Sequence, residues 1–219
     1  MENRRMGAPG ARELACGVLT RCEQSGQYSN LALDAALRRA SLNGSDRALA
    51  TALVYGVLER RLTLDDWISR LSSRPTEEIS PDVRSHLRIG LYQLAFLDRI
   101  PDHAAVSEAV RLAGRRAGGF VNALLREFIR QGKQLPLPDR SADPVRILSV
   151  KYSVCPPLCR RLLGEFGEAR SEALLASSFS HPGLTLRVNT LRTTRKGLTE
   201  RLNAAGVQTE STLHSRSGL

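Results

Sequence analysis

An apolar segment in the middle of the chain is the strongest structural signal in the sequence. Between His86 and Leu97 hydrophobic residues occupy nearly every side of a helix, and Ile100-Pro101 interrupts the pattern before a second helix begins. A helix that is apolar all round belongs in the middle of a bundle, covered by other helices. Proline is tolerated in a first helical turn, because the N–H that it lacks has no partner there. The pattern therefore predicts a central helix followed at once by another.

Helical periodicity continues on both sides of this segment through about residue 131. Gly, Pro, Ser and Asn separate the apolar stripes, as helix breakers and caps do. The helices predicted before the central one cover residues 8–22, a stretch starting at Ser29 or Asn30, and 46–62. Residues 64–71 either continue the last of these or form a separate short helix. Those predicted after it cover residues 101–116 and 120–130, separated by Gly118-Gly119. No segment before residue 131 alternates as a strand does, so the sequence predicts an all-α bundle over residues 1–133.

The composition changes beyond this bundle. Two prolines in the short stretch QLPLPD indicate a linker over residues 134–143. Periodicity then predicts helices over residues 144–152, 156–166, 168–179 and 194–205, and strands over 184–190 and 207–210. One strand–helix–strand unit cannot bury both faces of a sheet. We therefore interpret residues 144–219 as a small, incomplete α/β segment of a mainly α protein, and expect its last nine residues, STLHSRSGL, to be disordered.

The charge of the chain is strongly positive. Thirty-two basic residues face 22 acidic ones, which gives a formal net charge of +10, and all the basic residues except Lys133, Lys151 and Lys196 are arginines. The planar guanidinium group of arginine suits phosphate and stacks on bases. A GC-rich genome explains part of the preference for arginine over lysine, but it does not explain the net charge. The balance favours a nucleic-acid partner.

Cysteine spacing and hydropathy exclude several other classes of protein. The four cysteines lack CxxC spacing and have no histidine nearby in a zinc-like pattern, so no metal site is expected. Cys16 and Cys22 fall in an apolar helical pattern and are interpreted as buried thiols of a reducing cytoplasm. No apolar run approaches a membrane span, and the polar N-terminus lacks the hydrophobic region of a signal peptide. We expect a cytoplasmic protein without a membrane partner.

Two segments of the bundle carry a family resemblance. HLRIGLYQLAFLDRIPDHAAVSEAV, at residues 86–110, and FVNALLREFIR, at 120–130, resemble the NusB-like helical RNA-binding domain. The similarity is greatest to the version at the N-terminus of bacterial 16S rRNA (cytosine-5)-methyltransferases of the RsmB/Sun/Fmu family. LRVNTLRTTRKGLTERLNAAGV, at residues 186–207, resembles the segment that links this domain to the catalytic domain. The resemblance implies an RNA partner, 16S rRNA, and a methyltransferase domain in cis.

The resemblance also implies chemistry that these 219 residues do not carry. In the family, the catalytic domain binds S-adenosylmethionine at a glycine-rich loop after a strand, and one of two cysteines attacks C6 of cytosine. Cys155 precedes Pro156-Pro157, whereas the family's cysteines follow Pro or Thr, and no GxGxxG-like loop follows a strand. We therefore predict no catalytic, cofactor-binding or metal-binding residue here. Cofactor use is an expectation for the full-length family, and enzymatic activity is left open for this chain.

Arginine clusters are the candidate RNA contacts, because contacts to phosphates dominate the affinity of such modules. The resemblance implies this role for the arginine-rich N-terminus. Two further clusters contain arginines four residues apart on one helical face, Arg111 with Arg115 and Arg126 with Arg130, and Arg116 is adjacent to the first pair. Asn122 either reads a base edge with its donor and acceptor or bonds a helix end or loop backbone. For each arginine cluster the alternative is a solvated face with salt bridges, for example to Glu108 or Glu127. The candidate residues are Arg4, Arg5, Arg12, Arg111, Arg115, Arg116, Asn122, Arg126 and Arg130.

Three functions are compatible with these features. The first is the RNA-binding module of an rRNA cytosine-5 methyltransferase that lacks the catalytic domain. The second is a NusB-type transcription antitermination factor that binds RNA together with a ribosomal protein, which leaves residues 140–219 without a role. The third is a helical protein–protein interaction module whose arginines reflect genome composition. The first accounts for the positive charge, the bundle and the α/β segment together.

Overall fold

The computed structural model describes residues 10–72, 74–138, 143–180 and 183–219, and it is mainly helical. Beside the α-helices, the described residues include a short 3-10 helix at Thr76–Glu78. The predicted mainly α fold is confirmed. In chain order the helices are α1 (Ala11–Ser25), α2 (Ser29–Arg39), α3 (Gly44–Glu59), α4 (Arg61–Leu71), α5 (Pro81–Phe96), α6 (Asp102–Arg130), α7 (Pro144–Tyr152), α8 (Pro156–Ser177) and α9 (Arg195–Ala204).

Helix α5 is the central helix that the apolar pattern predicts. It starts with Pro81 in its first turn and packs against α1, α3, α4 and α6. Leu87 and Leu91 are fully buried, and so is most of the helix between residues 85 and 94. Burial of each such leucine contributes about 1.5–3 kcal/mol to the free energy of unfolding. Helix α5 therefore contributes strongly to the stability of the core.

A buried ion-pair network also connects α5 to its neighbours. The side chain of Arg88 is 7% exposed and donates two hydrogen bonds to Asp65, at 2.6 and 2.9 Å. Its remaining terminal nitrogen donates to Glu23 at 2.8 Å, and Arg84 contacts the same carboxylate at 2.8 Å. Burial by itself would lower the pKa of Arg88, but the hydrogen bonds and charges of Asp65 and Glu23 outweigh it and raise that pKa. The network ties α1 and α4 to the central helix.

The break inside α6 lies four residues before the predicted one. The backbone leaves the helical region at Gly114, which has φ 69° and ψ −175°, whereas Gly118 and Gly119 continue the helix. Gly118 has another role: a Cβ there would lie 3.3 Å from both the side chain and the carbonyl oxygen of Val110. The prediction of a turn at Gly118-Gly119 is therefore wrong. Gly114 forms the turn, and Gly118 allows close packing across it.

The contrast between two glycines of α6 gives a testable prediction. Gly114→Ala is expected to lower the free energy of unfolding by about 1–3 kcal/mol, because a side chain is strained in this backbone region. Gly119→Ala, at an exposed helical position with open space around the added methyl group, is expected to raise it by about 0.5–1 kcal/mol. Urea unfolding followed by circular dichroism measures both. Equal effects of the two substitutions would contradict the position of the break.

Helix α7 and most of α8 belong to the first compact unit of the chain, which ends at Leu175. Helix α7 packs against α4, where Thr63 Oγ1 donates to the carbonyl of Val150 at 2.6 Å. In α8 the backbone leaves the helical region at Gly167, between the two helices predicted there. Leu135, within the predicted linker, is buried in the core, and residues 139–142 lie outside the described residues. The domain limits at 133 and 144 stay a prediction.

The second unit, Ala176–Leu219, contains the predicted helix α9 but little extended pairing. Leu186 and Leu219 exchange two backbone hydrogen bonds, at 2.8 and 2.9 Å, around a single antiparallel bridge between Arg187 and Gly218. The expected strand over 184–190 is thus reduced to this bridge, and residues 207–210 have no strand partner in the described part of the chain. A β-ladder needs a longer partner segment than residues 217–219, which pair with residues 186–188 here. The last residues, expected to be disordered, provide that pairing.

Candidate nucleic-acid interface

The first predicted arginine cluster lies at the start of α1. Arg4 and Arg5 are outside the described residues. Arg12 is half-buried, and its Nε donates a hydrogen bond of 2.6 Å to the side chain of Gln93. Gln93 is buried in α5 and donates in turn to the carbonyl of Ile89 at 3.1 Å. Arg12 therefore holds α1 against the central helix, so part of its donor capacity is already used.

Arg111 is engaged in an ion pair on the surface of α6. Its guanidinium group donates to both carboxylate oxygens of Glu108, at 3.2 and 2.9 Å. This hydrogen bond is the largest cause that lowers the pKa of Glu108, and Arg12 lowers it further. The same hydrogen bond raises the pKa of Arg111. An RNA phosphate would have to compete with Glu108 for this arginine.

Arg115 and Arg116 are the most available arginines of the predicted set. They follow the break at Gly114 directly, and both are exposed. Neither has an ion-pair or side-chain hydrogen-bond partner among residues that the structure describes. Their guanidinium donors are therefore open to a ligand. The break also ends one helical segment just before them, which places two adjacent arginines at the start of the next.

The third predicted cluster is engaged within its own helix. Arg126 Nε donates to the side-chain oxygen of Asn122 at 3.0 Å, and Arg130 forms an ion pair with Glu127. Asn122 thus accepts from a side chain one turn away, rather than from a helix end or a loop backbone. Arg126 and Arg130 are exposed, so both can still exchange these intrahelical contacts for phosphate at a modest cost.

Two further unpaired arginines were not among the predicted contacts. Arg21 in α1 and Arg39 in α2 are exposed and have no recorded side-chain partner in the described ranges. Neighbouring Arg38, by contrast, pairs with Asp34 at 2.8 Å. A sequence signal for this difference exists: Arg38 has an acid four residues before it, whereas Arg21 and Arg39 have none three or four residues away.

A groove between α1 and α2 separates these two arginines. Its volume is about 820 Å³, and small residues such as Gly17, Ala32 and Ala35 line it. A Cβ added at Gly17 would meet nothing within 4 Å, so the groove is open there. His86 of α5 lines the floor and is 9% exposed, with its Nδ1 buried and without a hydrogen-bond partner. Burial lowers the pKa of His86, while Asp82 opposes this shift.

The described residues do not provide a metal or cofactor centre. No group of three or more His, Cys, Asp and Glu side chains could hold a metal ion among them. The resemblance implies an S-adenosylmethionine site at a glycine-rich turn after a strand, and the described ranges contain one isolated bridge only. These residues therefore do not fit that cofactor. None of the described helices is long and apolar enough to cross a membrane.

Two family models match the chain. The NusB family model matches residues 9–130, which include α1–α6, and a model of the ferredoxin-like domain of RsmF/B-like methyltransferases matches residues 158–219. The probable ribosomal RNA small subunit methyltransferase B of Bacillus subtilis (strain 168) is 34% identical over 203 residues. That alignment covers 91% of this chain and 45% of the relative. The chain thus spans about half the length of the curated relatives that it matches.

Solved structures share the fold at low sequence identity. The crystal structure of PH0851 superposes with a TM-score of 0.59 at 17% identity, over 96% of this chain and 47% of that one. NusB of T. maritima superposes with a TM-score of 0.51 at 24% identity, over 56% of this chain and 93% of that one. Such likeness supports the fold alone. A NusB fold accounts for the first part of the chain, and the PH0851 chain extends the similarity beyond it.

Proposed function

Because this chain belongs to the NusB family, we propose that it is the RNA-binding part of an rRNA small-subunit cytosine-5 methyltransferase. One observation carries the proposal: a NusB match and a match to the RsmF/B-like ferredoxin-like domain follow each other in one chain. The relatives named small-subunit rRNA methyltransferases cover both segments. The RNA partner would then be 16S rRNA, encountered in the cytoplasm.

Electrostatics supports an RNA partner. The net charge of +10 attracts a polyanion, and Arg115 and Arg116 have donors open to phosphate. We propose these two as the principal described contacts, with Arg111, Arg126 and Arg130 joining when phosphate displaces their carboxylate or amide partners. Arg4, Arg5 and Arg12 extend the same proposal to the N-terminus, and Asn122 to a base edge.

Methyl transfer itself is a proposal for the whole protein. S-adenosylmethionine supplies the methyl group in such enzymes, and the described residues do not form its site. The role of this chain would be to hold the RNA while a catalytic domain acts. An antitermination factor with a ribosomal-protein partner is the other NusB-type function, but it leaves the segment matched over residues 158–219 unexplained.

The proposal predicts a salt-dependent loss of affinity in an arginine variant. R115Q/R116Q is expected to weaken binding of a small-subunit rRNA hairpin about tenfold, and to reduce the slope of log K against log salt by about 1.5, because two phosphate contacts are lost. Fluorescence anisotropy at several salt concentrations measures both quantities.

A matched control separates local contacts from total charge. R38Q/R161Q removes the same two charges from arginines that are paired with Asp34 and Glu165, and it is expected to bind nearly as the unmodified chain does. Absence of RNA binding by the unmodified chain, or binding that salt does not weaken, would contradict the proposed function.

A further inference from the structure

The groove between α1 and α2 has the properties of a site for one nucleotide rather than for a whole duplex. Its volume of about 820 Å³ lies within the range of small-ligand pockets, about 300–1,000 Å³. Such pockets combine an apolar lining with a few polar groups. Here the apolar part of the lining consists of four alanines, Gly17, Cys16 and two leucines, and seven charged or polar side chains complete it.

Charged groups in the groove differ in their availability. Arg21 and Arg39 line it from α1 and α2 respectively, and neither has a partner among the described residues. Two carboxylates, Glu13 and Asp82, line it as well. A hydrogen bond from Ser80 lowers the pKa of Asp82, so this carboxylate remains charged at neutral pH. Carboxylates repel a phosphate but accept hydrogen bonds from the amino group of a base, so the interior suits a base and the arginines suit the backbone.

The floor contains a buried polar side chain that the fold leaves unsatisfied. His86 is more than nine-tenths buried, lines the groove and has no hydrogen-bond partner at Nδ1. Unpaired polar atoms in the interior are costly and are uncommon in native structures. Gln27, at the groove as well, carries both a donor and an acceptor. A heteroaromatic ring with edge donors and acceptors offers partners for Gln27 and, once the His86 ring turns toward the groove, for its Nδ1, which an aliphatic side chain does not.

The groove is also bordered by α6, the helix that carries the proposed phosphate contacts. Leu112, which immediately follows Arg111 and lies three residues before Arg115, lines it together with Glu13 of α1. RNA held at Arg115 and Arg116 would thus lie three or four positions along the chain from a residue that lines the groove.

We propose that the α1–α2 groove binds an unpaired nucleotide of the RNA, with the base on the alanine-lined floor beside His86 and the flanking phosphates at Arg21 and Arg39. This inference rests on the proposed RNA-binding function and adds a preference for single-stranded over duplex RNA. A base inside a duplex is stacked and paired, so it does not enter such a groove without flipping.

Filling the groove at Gly17 tests the proposal. Gly17→Trp places an indole ring in the groove from a helical position with open space, and Gly17→Ala is the matched control that adds only a methyl group. The 219-residue chain is titrated into a labelled single-stranded RNA oligonucleotide and into the duplex formed with its complement. We expect Gly17→Trp to weaken single-strand binding about tenfold relative to Gly17→Ala, with duplex binding unchanged. Circular dichroism shows that both variants fold.

The rim arginines provide a second, independent test. R21Q/R39Q is expected to weaken single-strand binding and to reduce its salt slope by about 1.4, at about 0.7 per phosphate contact, whereas R38Q alone leaves both unchanged. Equal single-strand affinity of Gly17→Trp and Gly17→Ala would overturn the inference and favour a protein helix as the occupant. The proposed function survives such a result as long as the unmodified chain binds RNA and R115Q/R116Q binds it more weakly. If neither the unmodified chain nor any variant binds RNA, the proposed function and this inference both fail.

Discussion

Arg88→Ala is expected to lower the free energy of unfolding by about 3 kcal/mol, because it leaves two partly exposed carboxylates without the buried guanidinium group that binds both. Asp65 loses both of its hydrogen bonds to the guanidinium group, and Glu23 keeps only Arg84. Both acidic side chains are 24% exposed, so water compensates for part of the loss. Urea unfolding of the two proteins measures the difference.

An exposed ion pair provides the control for this prediction. Arg38→Ala removes the partner of Asp34 where the arginine side chain is 76% exposed, and the expected change is below about 1 kcal/mol. Arg88→Met adds a second comparison, since it retains apolar volume but still leaves Asp65 and Glu23 without the guanidinium group. A loss for Arg88→Ala no larger than that for Arg38→Ala would show that the network does not stabilise the bundle.

Phe128→Ala is expected to be the most destabilising of the substitutions considered, at about 4 kcal/mol, because it creates a cavity in a closely packed core. Phe128 is fully buried, and its ring centroid lies 4.9 Å from that of Trp67 at a tilt of 35°. Trp67 also stacks on Phe96, at 6.0 Å and 8°. Removal of Phe128 thus takes away one of the two aromatic neighbours that hold the indole ring.

Trp67 reports this change directly, since it is the only tryptophan in the chain. The near-UV circular dichroism of the folded variant is expected to be weaker, and its unfolding midpoint in urea lower. Phe166→Ala, at a phenylalanine that is 44% exposed on α8, is the control and is expected to change stability by less than about 1 kcal/mol. Similar losses for the two phenylalanines would contradict the assignment of Phe128 to the core.

The features that the sequence predicted well depend on local patterns. The all-round apolar segment identified α5 as the buried central helix, and Pro101 marked the point at which the next helix begins. The break at Gly167 also agrees with the sequence, because Gly167 is the one residue between the helices predicted over 156–166 and 168–179. In each case one residue type and its spacing are sufficient, since the helical period itself decides which positions can be buried.

The position of the break in α6 required the tertiary structure. Gly114, Gly118 and Gly119 all tolerate the backbone of a turn, and the sequence contains no local signal that chooses between them. Packing makes the choice, because Gly118 lies against Val110 and so belongs to a helix interior, while Gly114 adopts the conformation that other residues avoid. The prediction of strands over 184–190 and 207–210 was wrong for a related reason. Alternation of apolar and polar residues specifies which face of a strand is apolar, but a strand forms only where a neighbouring segment pairs with it.

The sequence by itself determined the helical class, the central helix, the positive charge and the family resemblance that points to RNA. It did not determine which arginines are available. An acid three residues before Arg111 indicates its pair with Glu108, whereas nothing in the sequence near Arg12 indicates its hydrogen bond to Gln93 of α5. The groove beside Arg21 and Arg39 was likewise invisible, because it exists only where α1, α2 and α5 meet. Charge and periodicity are properties of single residues and their spacing, whereas the availability of a donor depends on every side chain that folding brings within reach.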